Sequence, residues 1–189
     1  MNKVNIAILI SGKGSNTQNI VKDAALGLRC NFIVISSKEN HEMEVFCQEN
    51  KVEYVSMNAV FNTFQLLDLL KSKNIDAIVL AGYLKLIPTE IINEYQNKIV
   101  NLHPSLLPKF GGPGMYGSKV HQAVFDSKEL YSGITIHYVN EEYDKGEIIA
   151  QHRIDIKACS SVNEIELKIK DLEKKEFPAT LLNFVQNKL

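Results

Sequence analysis

Asn101 and His103 stand two positions apart in the stretch IVNLHPSLLPKF (99–110), at the end of an apolar run and just ahead of Pro104 and Pro108. On an extended strand, side chains at i and i+2 share a face, so the amide and the imidazole point the same way and Leu102 points opposite. Both can therefore reach one substrate atom, as a pre-set polar site requires. The prolines fix backbone φ and lower the entropy of holding the pair in place. A lone histidine near a strand end is equally compatible with a packed, hydrogen-bonded residue, so spacing alone leaves both readings open.

A second candidate lies near the N-terminus. ILISGKGSNTQNI (8–20) places Gly12, Gly14, Ser15 and Asn16 between an apolar strand and a helical pattern. Glycines let the backbone approach an anion. The free N–H groups of Gly14, Ser15 and Asn16, with the positive end of the helix dipole, can hold a phosphate. The alternative is a tight strand-to-helix turn with Ser15 as N-cap. A dinucleotide fingerprint needs glycine where Thr17 stands, and the second strand ends in Ser36-Ser37-Lys38 with no carboxylate for a ribose hydroxyl. No Gly-Lys-Ser/Thr follows at P-loop distance. A single phosphate monoester is the expected ligand.

Other polar residues carry weaker signals. Asp144 sits in YDKG, an ordinary turn signature. His137 reads as an exposed-face residue of a strand, and His41, His121 and His152 as surface residues. Glu173, beside the apolar face of the last helix, reads as a solvated charge. No C-x-x-C, H-x-x-x-H or carboxylate cluster suggests a metal.

The elements that must position these residues alternate. VNIAILI (4–10), FIVIS (32–36) and DAIVLAG (76–82) are unbroken apolar runs of strand length, as in parallel strands buried on both faces. Helical patterns fall at roughly 16–27, 41–50 and 60–73. Such a series predicts an α/β, Rossmann-like, open and mostly parallel twisted sheet with helices on both faces. In open sheets of this kind ligands bind outside the carboxyl ends of the strands, where both candidates lie. After residue 103 the order changes. VHQAVFD (120–126) reads as a helix; SGITIHYVN and EIIAQHRIDI, joined by EEYDKG, read as an antiparallel C-terminal strand pair. Ser161 and Glu164 predict a capping box opening the last helix, which Pro178 should kink or restart. The glycine-rich FGGPGMYGS (110–118) reads as a mobile loop rather than a linker.

Whole-chain numbers bound the function. With 189 residues, 45% hydrophobic and 23% charged, the chain is expected to be one domain over 1–189. A net charge of −1 argues against nucleic acid or an anionic membrane as partner. Three scattered cysteines suggest reduced thiols, and with no signal peptide or spanning segment in view a cytoplasmic location is expected.

The set SGKGSN, LAGYLKLI, NLHPSLLP and DKGEII, in that order and spacing, resembles the phosphoribosylglycinamide formyltransferase family of folate-dependent enzymes over nearly the whole chain. The resemblance implies formyl transfer from the co-substrate 10-formyltetrahydrofolate to the amine of glycinamide ribonucleotide in purine biosynthesis, without a metal. It implies a catalytic trio of Asn101, His103 and Asp144, with His103 protonated and Asp144 keeping it so. It also implies nucleotide contacts from Gly14, Ser15, Asn16 and Glu173. A folate pocket would be lined by backbone groups of Tyr83, Leu84, Lys85 and Leu86 and by the loop Asn140, Glu141, Glu142, Tyr143 and Asp144, with Asn101 beside it. A monomer or weak homodimer is expected. The chain departs from the family at Phe64, where bacterial relatives often carry arginine, at Leu172, where glutamine is frequent, and in the 110–118 loop, from which no site residue carries over. The related alternatives are a formyltetrahydrofolate hydrolase, a methionyl-tRNA formyltransferase-like enzyme and a non-catalytic nucleotide-binding module.

Overall fold

The computed structural model describes residues 3–57 and 62–189. The elements run β1 (Val4–Ile10), α1 (Ser15–Lys22), α2 (Ala24–Arg29), β2 (Cys30–Ser36), α3 (His41–Glu49), β3 (Glu53–Ser56), α4 (Thr63–Ser72), β4 (Ala77–Leu80), α5 (Thr89–Glu94), β5 (Ile99–His103), α6 (Ser118–Asp126), β6 (Tyr131–Tyr138), β7 (Ile148–Asp155) and α7 (Val162–Lys188). The strands form a seven-stranded sheet in the order β3-β2-β1-β4-β5-β6-β7. Pairing is parallel from β3 to β5 and antiparallel from β5 to β7. The expected parallel sheet with an antiparallel C-terminal pair is what the chain builds.

Period-2 geometry divides the core between the two faces of the sheet. On β1, Ile6, Ile8 and Ile10 pack with Ile20, Met43, Val124 and Phe177, on the side of α1, α3, α6 and α7. Ala7 and Leu9 pack with Leu66, Leu70 and Ile91 of α4 and α5 on the other. All five are fully buried, which is why this run shows no polar alternation.

Six features of the elements differ from expectation. The helix expected at 16–27 is two helices, broken at Asp23, whose extended backbone (φ −70°, ψ 118°) lets its carboxylate accept from Leu26 N and cap α2. Strand β3 and helix α5 were not anticipated: one is a half-exposed four-residue edge strand, the other a six-residue helix opened by Pro88. The strand expected at 76–82 is only Ala77–Leu80, and α6 starts two residues earlier than expected. The last helix does not restart at Pro178 but continues from Val162 to Lys188, with Phe177 and Pro178 buried. The first positions of the helix expected at 60–73 lie outside the described residues.

The cap of α7 is shared between neighbouring serines. Ser161 Oγ accepts from Glu164 N, while the Glu164 carboxylate accepts from the backbone N and hydroxyl of Ser160, not from Ser161. Free N–H groups at the helix start are satisfied all the same.

Candidate active site

Strand β5 lies between a parallel and an antiparallel neighbour, and this sets the site. Asn101 stands opposite Leu80 of β4 on one side and His137 of β6 on the other; His103 stands opposite Thr135. Asn101 and His103 share a face, while Leu102 packs into the core on the other. The loop after β6 brings Asp144 over the same face. Asp144 adopts a left-handed conformation (φ 57°), which short polar side chains tolerate. Gly146, two residues on, allows the return: a Cβ there would overlap the Tyr138 carbonyl.

Four side chains meet. Asp144 Oδ1 lies 3.5 Å from His103 Nδ1, 3.6 Å from His137 Nε2 and 3.5 Å from Asn101 Nδ2. Asp144 Oδ2 accepts from Gly112 N at 2.8 Å. His137 donates from Nδ1 to the Tyr138 carbonyl (2.7 Å), which makes Nε2 the acceptor for Asn101 Nδ2 at 3.0 Å. His137 is buried, not on an exposed face. Its place was readable only from the β5–β6 register, since nothing in its local sequence marks it.

Charge in this cluster is set by burial. The His103 pKa lies below its ordinary value because desolvation disfavours the cation; the Asp144 charge and the Phe110 carbonyl push the other way but do not prevail. The resting imidazole is therefore neutral at pH 7, contrary to the expected imidazolium, and Nε2 donates to the Phe110 carbonyl at 2.8 Å. Burial would raise the Asp144 pKa, but the polar surroundings, with the His137 and His103 imidazoles beside it and the Gly112 N–H bonded to it, together lower it. The carboxylate is thus charged and ready to receive a proton-bearing His103.

The loop behind His103 is clamped. Thr135 Oγ1, fully buried, donates to the Ser105 carbonyl (2.7 Å) and accepts from Leu107 N (3.0 Å). Gln151 adds bonds to Leu107 O and Thr135 Oγ1, and Ser105 Oγ donates to Lys109 O. The prolines therefore work alongside a hydrogen-bonded lock in fixing the loop.

This cluster forms one wall of a cavity of about 390 Å³. The cavity is lined by Tyr83, Leu84, Lys85 and Leu86, by Asn140, Glu142, Tyr143 and Asp144, and at the far side by Asn16 and Glu173. Among the expected site residues, Gly14, Ser15 and Glu141 are absent from the lining. Leu84 N donates to Ser11 Oγ, so that backbone group is already engaged. The 110–118 loop, from which the resemblance carries over no site residue, contributes Gly112 through Gly117 to the wall. Phe64 is 67% exposed and lies outside the cavity lining.

At the far side, Gly14 rather than Ser15 occupies the N-cap of α1, in a left-handed conformation (φ 77°) that glycine adopts without penalty. No side chain caps this helix start. Asn16 Nδ2 donates to Glu173 at 3.0 Å. Glu173 is not a solvated charge: burial raises its pKa, while Asn16 and Lys170 act in the opposite sense. His121 is also no surface residue. It is 5% exposed, lines the cavity, and its Nδ1 has no hydrogen-bond partner among the described residues. His152 is half-buried, 3.4 Å from Glu176 and 3.2 Å from Thr180. Among the described residues no group of three His, Cys, Asp or Glu side chains is placed to hold a metal, and no helix is long and apolar enough to cross a membrane.

Many known proteins resemble this chain in sequence and fold. The family model described as formyl transferase matches residues 4–181. The chain is 36% identical over 179 residues to a chloroplastic phosphoribosylglycinamide formyltransferase of Arabidopsis thaliana, covering 90% of this chain and 61% of the relative. It is 32% identical over 200 residues to the phosphoribosylglycinamide formyltransferase of Haemophilus influenzae, covering 97% and 88%. The chain thus spans less than two thirds of the plant relatives it matches, 61% and 55% of their length. Among solved structures, a phosphoribosylglycinamide formyltransferase from Bacillus halodurans superposes with a TM-score of 0.86 at 28% identity, covering 98% of this chain and 97% of that one. A glycinamide ribonucleotide transformylase from Geobacillus kaustophilus gives 0.87 at 28% identity, covering 97% and 100%.

Proposed function

The chain belongs to the formyl transferase family, and from that premise we propose that it transfers a formyl group from 10-formyltetrahydrofolate to the amine of glycinamide ribonucleotide, as one formyltransferase domain over residues 1–189. The observation that carries this reading is a single cavity with Asn101, His103, His137 and Asp144 at one wall and Asn16, beside the open N-terminus of α1, at the other. A nucleotide phosphate at Gly14, Ser15 and Asn16 would direct the attached amine toward Asn101 and His103. A pteridine held between the 83–86 and 140–144 segments would direct its formyl group to the same place.

Amine attack on the formyl carbon forms a C–N bond and leaves a tetrahedral oxyanion. The Asn101 amide donates to that oxygen. His103, neutral at rest, takes up a proton as negative charge develops, and Asp144 stabilises the imidazolium at Nδ1. Collapse of the oxyanion breaks the bond between the formyl carbon and the folate nitrogen; the proton that the attacking nitrogen loses passes through His103 to that departing nitrogen, so His103 ends the cycle neutral. A donor of this kind contributes about 2.7–4 kcal/mol to barrier lowering. A metal is not required by any of these steps, and a cytoplasmic enzyme acting on small-molecule substrates fits the net charge of −1.

The test is a spectrophotometric assay with glycinamide ribonucleotide and a 10-formyl folate analogue. Turnover that depends on both substrates is expected. Release of formate from the folate without transfer to the amine would instead assign hydrolase chemistry.

A further inference from the structure

The proposed reaction leaves one buried side chain of the cavity without a task. His121 lies on α6, whose buried residues are Val120, His121 and Val124. Val124 packs in the core with Ile165 and Ile169 of α7, so His121, one turn earlier on the same face, stands where α6 meets α7. It lines the cavity together with His103 of the reacting wall and with Glu166 and Lys170 of α7. The same three groups are the charges that act on it, and Glu166 and Lys170 are paired with each other at 2.6 Å. His121 is therefore placed between the wall that carries Asn101 and His103 and the wall that faces the start of α1.

The two ring nitrogens of His121 have different surroundings. Nδ1 is buried and has no hydrogen-bond partner among the described residues. The side chain lines the cavity all the same, so the edge it presents there is the one that carries Nε2. A proton on Nδ1 would be a buried donor with nothing to accept it. The proton therefore sits on Nε2, where the cavity can supply an acceptor. Burial keeps the ring neutral in the same sense, because the imidazolium would carry a proton on Nδ1 as well. An apolar side chain of similar size would spare the fold an unpaired buried nitrogen, so packing alone does not account for a histidine here. We propose that His121 determines substrate specificity by donating Nε2–H to the glycyl amide oxygen of the nucleotide. With phosphate at Gly14–Asn16 and the amine at Asn101 and His103, that oxygen belongs to the part of the substrate spanning the interval His121 occupies. An amide carbonyl is a stronger acceptor than a ribose hydroxyl, and a neutral donor suits a neutral acceptor. This inference rests on the reading of glycinamide ribonucleotide as the substrate.

The test titrates the full chain by calorimetry with glycinamide ribonucleotide and with ribose 5-phosphate, which lacks the glycyl amide. His121→Leu removes the donor at similar volume. It should weaken glycinamide ribonucleotide about three- to tenfold, the loss of one neutral hydrogen bond, and leave ribose 5-phosphate unaffected. His121→Gln puts an amide N–H near the Nε2 position and should restore most of the affinity. His121→Asn, whose donor reaches only as far as Nδ1, should not. In turnover, His121→Leu should raise KM for the nucleotide more than it lowers kcat, with KM for the folate unchanged. Equal loss for both ligands would assign the contact to the ribose or to the fold, and would overturn the proposal. Unchanged affinity in His121→Leu, or rescue by asparagine and not by glutamine, would overturn it too. If the wild-type chain binds glycinamide ribonucleotide more tightly than ribose 5-phosphate and His121→Leu keeps that preference, only the role of His121 fails. If the wild-type chain shows no such preference, the substrate reading fails and the role of His121 with it.

Discussion

At one wall of the cavity, Asn101, His103, His137 and Asp144 are held by the sheet and by each other; at the opposite wall, Asn16, Glu166, Lys170 and Glu173 sit on helices and pair loosely. His103 and His137 are buried and Asn101 and Asp144 partly so, and both nitrogens of His137 and Nε2 of His103 are hydrogen-bonded before substrate arrives. The second group keeps a half-exposed lysine and an uncapped helix start. Chemistry benefits from groups that need not move, because reorganisation adds to the barrier. Binding and release of a charged ligand benefit from groups that can exchange partners. Under the proposed function, one cavity combines a rigid wall for the reaction with a yielding wall for recognition.

The contrast predicts separable kinetic effects. His103→Ala should lower kcat by about 10²–10³, with little change in nucleotide affinity. A comparable loss of nucleotide binding, measured by calorimetry, would show that the two walls are not independent. Asp144→Asn should lower kcat by about 10- to 100-fold. Because Asp144 raises the His103 pKa against the burial that lowers it, its removal should lower that pKa further. The histidine limb of the pH–rate profile should then move to lower pH. Losses in the double variant should be less than additive, since without His103 there is no cation for Asp144 to support; full additivity would separate the pair.

Nucleotide recognition should respond the opposite way. Gly14→Ala places a side chain in a left-handed position against Met43, and should raise KM for the nucleotide more than it lowers kcat. Equal damage to folate binding would point to a general disturbance of the fold.

Acid should weaken the buried wall first. His103 and His121 both have pKa values lowered by burial from about 6.5. The unfolded chain therefore takes up protons that the folded chain refuses. Stability should fall as pH drops through 6.5 and level off below the folded-state values. A melting temperature that does not change between pH 7 and 5 would contradict the burial of these imidazoles. The smallest effect is expected at Ser161→Ala, which removes the N-cap of α7 at about 1 kcal/mol and should lower the melting temperature without altering kcat.

Much of the fold could be read from residue patterns because β1, β2 and β4 are buried on both faces and leave unbroken apolar runs. What escaped was short or marginal: β3 with four residues, α5 with six, and the break at Asp23, whose capping carboxylate was the available sign. At the site, Asn101 and His103 were visible because two residues on one strand must share a face. Asp144 entered through resemblance, since its own sequence context is a common turn. His137 and His121 escaped because burial is a property of the assembled sheet and helices. The neutral state of His103 escaped for the same reason: proximity to Asp144 suggested a cation, and only the depth of the site shows that desolvation prevails.

The position of β5 between a parallel and an antiparallel neighbour has a consequence for refolding. A slip of β6 by two residues would keep every side chain on its proper face, preserving the apolar contacts and the sheet content seen by far-ultraviolet dichroism. It would nevertheless carry His137 away from Asn101. Specific activity is therefore a register gauge for this chain: a refolded preparation with a native-looking spectrum and little turnover would hold molecules trapped one repeat out of step along the β5–β6 seam.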